Sequence, residues 1–247
     1  MQNPVLILGA SGEIGKHIAE KFNQSGQSLI LHGNKNTPEK IRAFSDRQTI
    51  KSVCADLTDE KSVQNLFNFI GKEYTALSGV VFSVAQPFSN KLSHRTPWRT
   101  FNEQMQTQLK AAHLSLTAAY PMLKEHARDS AARVIMISTE YSIGRPPVKI
   151  APYVAAKSAL NAYALSLAQE WLGSNIRVHI MAPGLLRSNL TSHMPELYLE
   201  ELVKNMPEKQ LTSAEDVANF AAFLMTPDAD SLYGSIIPTT RGKRVTH

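Results

Sequence analysis

Short apolar runs alternate with longer stretches of helical periodicity along the whole chain. Runs at 5–8, 28–32, 50–54, 79–83, 133–138, 177–182 and 235–238 are four to six residues long. Several, such as Val134-Ile135-Met136-Ile137, are continuously apolar, which suits strands covered on both faces. Between them, 14–25, 38–46, 61–71, 98–125, 152–172 and 214–225 read as helices. The first places Ile14, Ile18 and Phe22 on one face. This β-α-β-α alternation predicts an α/β fold, a parallel sheet with helices on both sides. No repeat, linker or low-complexity run divides 1–247, so it reads as one domain. The segment 185–210 stands apart. It follows Pro183-Gly184, contains Pro195 and Pro207, and carries a short amphipathic piece at 197–204. A segment of this length after a strand end is expected to cover a site.

The first run leads straight into Gly9-Ala10-Ser11-Gly12-Glu13-Ile14-Gly15 and then a helix. Glycines there let the backbone approach a pyrophosphate, and the N–H groups of the helix start bind it. Gly9, Ser11, Gly12, Glu13, Ile14 and Gly15 are the candidate contacts. The second run ends His32-Gly33-Asn34-Lys35-Asn36, with no acidic residue between Ser28 and Pro38. A site for NAD places a carboxylate near this point for the ribose hydroxyls. Lys35, with Asn34, could instead meet a ribose 2′-phosphate, which favours NADP(H). Otherwise Lys35 is a solvated loop lysine.

Tyr153 and Lys157 lie one helical turn apart in Ala151-Pro152-Tyr153-Val154-Ala155-Ala156-Lys157. Positions i and i+4 share a helix face. An ammonium beside a phenol favours the phenolate and would let Tyr153 exchange a proton near neutral pH. Such a pair also recurs on solvated helix faces, so its weight comes from its surroundings.

Those surroundings resemble the short-chain dehydrogenase/reductase family in its compact single-domain form. Gly9, Gly12 and Gly15 match the family's glycine turn, and Tyr153 and Lys157 match its Tyr-x-x-x-Lys pair. Asp56 in Ala55-Asp56-Leu57-Thr58-Asp59 matches its adenine-contacting acid. The Pro183-Gly184 strand end is similar to the one that holds the nicotinamide amide. The resemblance implies a Rossmann-type doubly wound sheet of about seven strands. It implies a cofactor set completed by Leu57, Ser83, Ala85, Lys157, Leu186 and Ser188. The implied chemistry is carbonyl reduction with Tyr153 as the acid. A 3-oxoacyl thioester is the expected substrate, free or on an acyl carrier protein, or a related hydrophobic ketone. Substrate contacts are expected from Gln86, Glu140, Tyr141 and Leu185, in a pocket that also includes Pro87, Phe88, Ile143, Pro147 and Ile150. A homotetramer or homodimer through the two long helices is the expected assembly.

Four positions depart from the family pattern. Thr139 stands where a substrate-polarising serine is usual, with Ser138 as the fallback if the register slips. Gln108 replaces the asparagine of a proton relay, which puts the helix kink associated with it in doubt. Ser83-Val84-Ala85-Gln86 replaces Asn-Asn-Ala-Gly. Glu13 puts a carboxylate where the compact form has glycine, and it would repel a pyrophosphate unless turned outward. With partners so altered, a dinucleotide-binding protein of weakened catalysis is the alternative to an active reductase.

Composition adds exclusions. Hydrophobic residues make up 43% and charged residues 19%. No apolar run approaches the ~18 residues of a membrane helix. The first residues lack the basic start of a signal peptide. One cysteine, Cys54, excludes an internal disulfide and fits a reducing cytoplasm, with Cys54 expected as a small core residue at a strand end. No metal site is expected. The net charge of +5 is scattered, which argues against nucleic acid. Arg128, Arg133 and Arg187 are expected near the mouth of the site, to meet an acidic carrier or as ordinary surface arginines.

Overall fold

Seven strands form one parallel sheet in the order β3-β2-β1-β4-β5-β6-β7. They are β1 (Val5–Leu8), β2 (Leu29–Gly33), β3 (Ile50–Cys54), β4 (Gly79–Phe82), β5 (Ala132–Ile137), β6 (Ile176–Pro183) and β7 (Ile236–Thr239). The computed structural model describes residues 2–34, 50–88, 90–188, 190–192 and 194–243. The helix expected at 38–46, and Lys35, lie outside them. Helices α1 (Glu13–Gln24), α2 (Glu60–Ile70), α3 (Trp98–Met105), α4 (Ala111–His126), α5 (Ala151–Glu170), α6 (Glu196–Lys204) and α7 (Ala214–Leu224) connect the strands. Each strand expected from the sequence forms, within a residue at either end.

The continuous apolar runs feed two cores, one on each side of the sheet. Leu6, Leu8, Val80, Phe82, Val134, Met136 and Ile180 face one side, where Leu116, Leu123 and Leu160 of α4 and α5 cover them. Val5, Ile7, Val81, Ile135, Ile137 and Met181 face the other, against Ile18 and Phe22 of α1 and Val217 and Leu224 of α7. Alternate residues of one strand therefore serve opposite layers, which is why these strands carry no polar stripe.

The order also places the site. From β1 the chain winds outward to β2 and β3, and from β4 it winds the other way. A crevice opens at the carboxyl ends of β1 and β4, where the winding reverses.

Three expectations change here. The long helix expected at 98–125 is interrupted by a π-helical turn, Gln106–Lys110, between α3 and α4. The irregularity placed in doubt by Gln108 is thus present, and Gln108 sits inside it. Cys54 closes β3 as expected but is exposed rather than part of the core. Arg133 opens β5 at the end opposite the crevice. It is buried and bonded to Asp230 at 2.8 Å, and nearby Arg128 pairs with Glu125 at 2.8 Å. Neither stands at the mouth, because both precede or begin a strand whose far end makes the site. Among the described residues, no helix is long and apolar enough to cross a membrane, and no group of three metal-binding side chains occurs.

Candidate active site

Glycines at the end of β1 let the chain pass close under its neighbours. Gly9 has φ +83 and donates its N–H to Nδ1 of His32 at 3.3 Å. A Cβ on Gly9 would stand 2.7 Å from the Ser83 carbonyl oxygen, and one on Gly15 only 2.3 Å from that of Gly9. No side chain caps α1 at Gly12, so the first-turn N–H groups are left for a ligand. Substituting Gly15→Ala should part the turn from the helix. The expected effect is ~1–3 kcal/mol of lost stability, read by thermal denaturation, with weaker dinucleotide binding. Unchanged melting and binding would mean that the turn yields freely.

His32 was not singled out by sequence. Its Nε2 reaches the Ala55 carbonyl at 3.0 Å while Nδ1 accepts from Gly9, which fixes one neutral tautomer. Burial pushes its pKa below the ordinary histidine value. The imidazole thus ties the glycine turn to the end of β3. The available signal was a polar residue closing the apolar run Leu29-Ile30-Leu31.

Two cavities meet at Gly12, Ser83, Val84 and Ala85. The first, of about 260 Å³, is lined by Gly9, Ser11, Asn34, Asp56 and Leu57 among others. Asp56 is held in place by Thr58, whose N–H and hydroxyl donate to its carboxylate at 2.9 and 2.7 Å. The second, of about 140 Å³, runs past Ile14 to Thr139, Tyr153, Lys157, Pro183, Gly184, Leu185, Leu186 and Ser188. Glu13 borders it too, half-exposed, with its carboxylate 3.6 Å from His17 one turn along α1. His17 Nδ1 itself bonds the Glu13 backbone carbonyl at 2.8 Å, and the Glu13 carboxylate stays on the border of the cavity.

The second cavity holds the candidate chemistry. Tyr153 is fully buried under Phe88, with ring centroids 4.9 Å apart. Burial pushes the phenol up to about 12, against a smaller downward pull from its hydrogen bond with Thr139. Burial pulls Lys157 down to about 7. Its Nζ donates to the Ile137 carbonyl at 2.7 Å. Among the causes that shift Tyr153, Lys157 does not appear in this cofactor-free structure. Desolvation dominates both groups, and the hydroxyl of Thr139 is what favours the phenolate. Thr139, not Ser138, takes that place, since Ser138 Oγ lies 3.0 Å from Ser142 Oγ, itself bonded to Asn161. Ser138 nonetheless lines the same cavity.

Three expected site residues stand elsewhere. Gln86 lines the first cavity rather than the second, held by the Thr107 hydroxyl at 3.0 Å. Glu140 borders neither cavity. It is buried and accepts from Leu185 N–H at 3.3 Å and from Lys243 at 2.8 Å. Gln108 is buried behind the cavities, with its amide donating to Gln104 at 2.7 Å and its Oε1 without a partner. The longer arm of glutamine reaches back along its own helix. Tyr141 and Leu185 do line the second cavity.

The residues present fit a dinucleotide. The paired cavities span the winding reversal, and the uncapped helix start lies where they join. Arg187, by contrast, is exposed and paired with Glu196 at 2.7 Å.

Comparison with known proteins agrees. A family model described as enoyl-(acyl carrier protein) reductase matches residues 9–243. The 3-oxoacyl-(acyl-carrier-protein) reductase FabG of Rickettsia conorii is 30% identical over 96% of this chain and 95% of its own length. The fold matches a Pseudomonas aeruginosa RhlG/NADP complex with TM-score 0.89 at 22% identity, covering 98% of this chain and 96% of that one. It also matches a Brucella melitensis 3-ketoacyl-(acyl-carrier-protein) reductase complexed with NADH, with TM-score 0.87 at 20% identity and 98% of each chain covered. The glycine turn, the winding reversal and the buried Tyr153–Lys157 pair are arranged as such a match requires, and the chain belongs to the short-chain dehydrogenase/reductase family of oxidoreductases.

Proposed function

We propose that this oxidoreductase reduces the ketone of a 3-oxoacyl thioester or a similar hydrophobic substrate with NADPH. The observation that carries this is the cluster of Thr139, Tyr153 and Lys157 on one cavity, joined at Gly12 to the cleft of the glycine turn. With a dinucleotide lying across both cavities, the nicotinamide, in the second, would supply hydride. Tyr153 delivers the proton to the carbonyl oxygen. Thr139, bonded to the phenol in the free site, turns its single hydroxyl proton to the same oxygen when substrate is bound. Lys157, poised at about 7, is the second proton-exchanging group of the site. Phe88, Leu185, Leu186 and Leu190 make the walls apolar, which suits an acyl chain and excludes water. Pro183, Gly184 and Ser188 lie where the nicotinamide end belongs, and Asn34, Asp56 and Leu57 where the adenosine end belongs.

A carrier protein as donor of the thioester is supported by exposed Lys91, Arg95, Arg145 and Lys149. They stand on two segments beside Tyr153, joined by Lys91 N–H to the Lys149 carbonyl at 3.2 Å. Oligomerisation through the two long helical stretches, 98–125 and 152–172, is supported by exposed Trp98 on the first, stacked on Phe101 at 5.9 Å.

Following nicotinamide absorbance with 3-oxoacyl thioesters tests the reading. NADPH should be preferred to NADH by at least about tenfold in kcat/KM, roughly 1.4 kcal/mol. No NADPH consumption with these thioesters or with hydrophobic ketones would overturn it.

A further inference from the structure

The carboxyl-terminal turn carries a cation that this chemistry does not use. After β7 the chain closes a turn in which Lys243 N–H donates to the Thr240 carbonyl at 3.1 Å and Thr240 Oγ1 to that of Lys243 at 2.9 Å. The turn sets Lys243 Nζ 2.8 Å from Oε1 of Glu140, a carboxylate whose side chain is only 4% exposed. The same oxygen accepts from Leu185 N–H at 3.3 Å. Lys243 Nζ also lies 5.4 Å from the centre of the Tyr141 ring, which walls the catalytic cavity. Next to Leu185, Gly184 N–H donates to the Thr239 carbonyl at 3.0 Å. One buried oxygen therefore joins three segments: the turn that follows Thr139, the loop that leaves Pro183-Gly184, and the tail. Arg241 on the same turn pairs with Asp216 of α7 and, at 2.8 Å, with Glu208 at the end of the covering segment.

We propose that Lys243 is a positioning residue, a charge latch: by neutralising the buried Glu140 carboxylate it stops that charge from drawing the 183–186 loop out of register with Thr139, and so keeps the loop competent to bind the dinucleotide. The inference rests on the reading of the second cavity as the nicotinamide site. A buried carboxylate stripped of its counter-charge is strongly unfavourable, whereas loss of charge on both partners is close to neutral. In Lys243→Met the Glu140 carboxylate loses its counter-charge among Thr139, Leu185 and Tyr141, and it draws the loop out of place in reaching for water. In Glu140→Gln the amide oxygen still accepts from Leu185.

The test measures NADPH affinity by fluorescence titration on wild type and four variants, with kcat beside it. Lys243→Met should weaken binding by about tenfold, the loss of a coupling near 1.4 kcal/mol. Glu140→Gln should stay within about threefold of wild type, and the double variant should recover to about the same level, because neither leaves an unpaired buried charge. Lys243→Arg, which keeps the charge, should bind as wild type does and guards against a general effect of altering the tail. Wild-type affinity in Lys243→Met would overturn the latch. So would a double variant as weak as Lys243→Met alone, since that pattern means lost packing. A wild type that binds NADPH but reduces no ketone would sink the proposed reaction while leaving the latch tested by binding. If wild type binds no dinucleotide, both fall.

Discussion

Replacing Tyr153 with phenylalanine should lower kcat by roughly 100- to 10,000-fold, the range over which a positioned acid assists proton transfer. NADPH binding should change little. The phenol sits in a wall of the cavity, and its ring, which packs on Phe88 at 4.9 Å, is kept in phenylalanine. Stability should fall by no more than about 1 kcal/mol, because the neutral hydroxyl gives up its bond with Thr139 while the ring's packing is kept. Single-turnover measurements with saturating NADPH would separate the chemical step from binding. Equal rates in wild type and Tyr153→Phe would remove Tyr153 from the proton path and leave Lys157 as the acid to test. Thr139→Ala, which spares the phenol but removes its partner, should give a smaller loss in the same assay.

The cavity also says why the sequence could name this residue and not its setting. Strand positions were legible because both faces of the sheet are covered, so most strands are apolar runs and helices such as α1 and α2 carry one apolar stripe. The glycine turn was legible because Gly9 and Gly15 fill places where any Cβ would strike a carbonyl oxygen. Tyr153, Lys157 and Thr139 were legible as spacing. What failed were side chains whose partners come from far along the chain. Glu140 was read as a substrate contact from its place beside Thr139. Its true partner is 103 residues away in the tail. Gln86 and Gln108 were placed by position in the fold, but amide side chains turn to whichever hydrogen bond is near, here Thr107 and Gln104. Two of the three arginines expected at the mouth, Arg128 and Arg133, sit at or just before the start of β5, the opposite pole from the site. His32 was overlooked for the same reason in reverse. Its value lies in linking Gly9 to Ala55, two residues it meets only in the folded sheet.

Lys157→Met is the second large expected effect, and it separates stability from catalysis. Turnover should fall as far as in Tyr153→Phe, since the second proton-exchanging group of the site is gone. Stability should behave differently, and the sign follows from where each form binds protons. In the unfolded chain Lys157 keeps its proton up to about 10.5, and in the cofactor-free fold it gives it up near 7. Between those values the unfolded state holds more protons, so wild-type stability rises with pH, by up to about 1.4 kcal/mol per unit. Below about 7 the penalty of the buried ammonium is fully present and constant. Tyr153 closes the window at the top. Its phenol ionises at 10.0 when unfolded and about 12 when folded, so stability turns downward above 10. His32 and His179, both depressed by burial, act only below 6.5. Urea midpoints from pH 7 to 10 should therefore climb in wild type and stay nearly flat in Lys157→Met. Methionine also orphans the Ile137 carbonyl, which costs about 1–3 kcal/mol, but that loss does not depend on pH and leaves the slope intact. Parallel profiles for the two proteins would mean that Lys157 stays protonated in the fold. The low-pKa lysine would then have no part in proton exchange, and its role would reduce to holding the end of β5 and any ligand beside it.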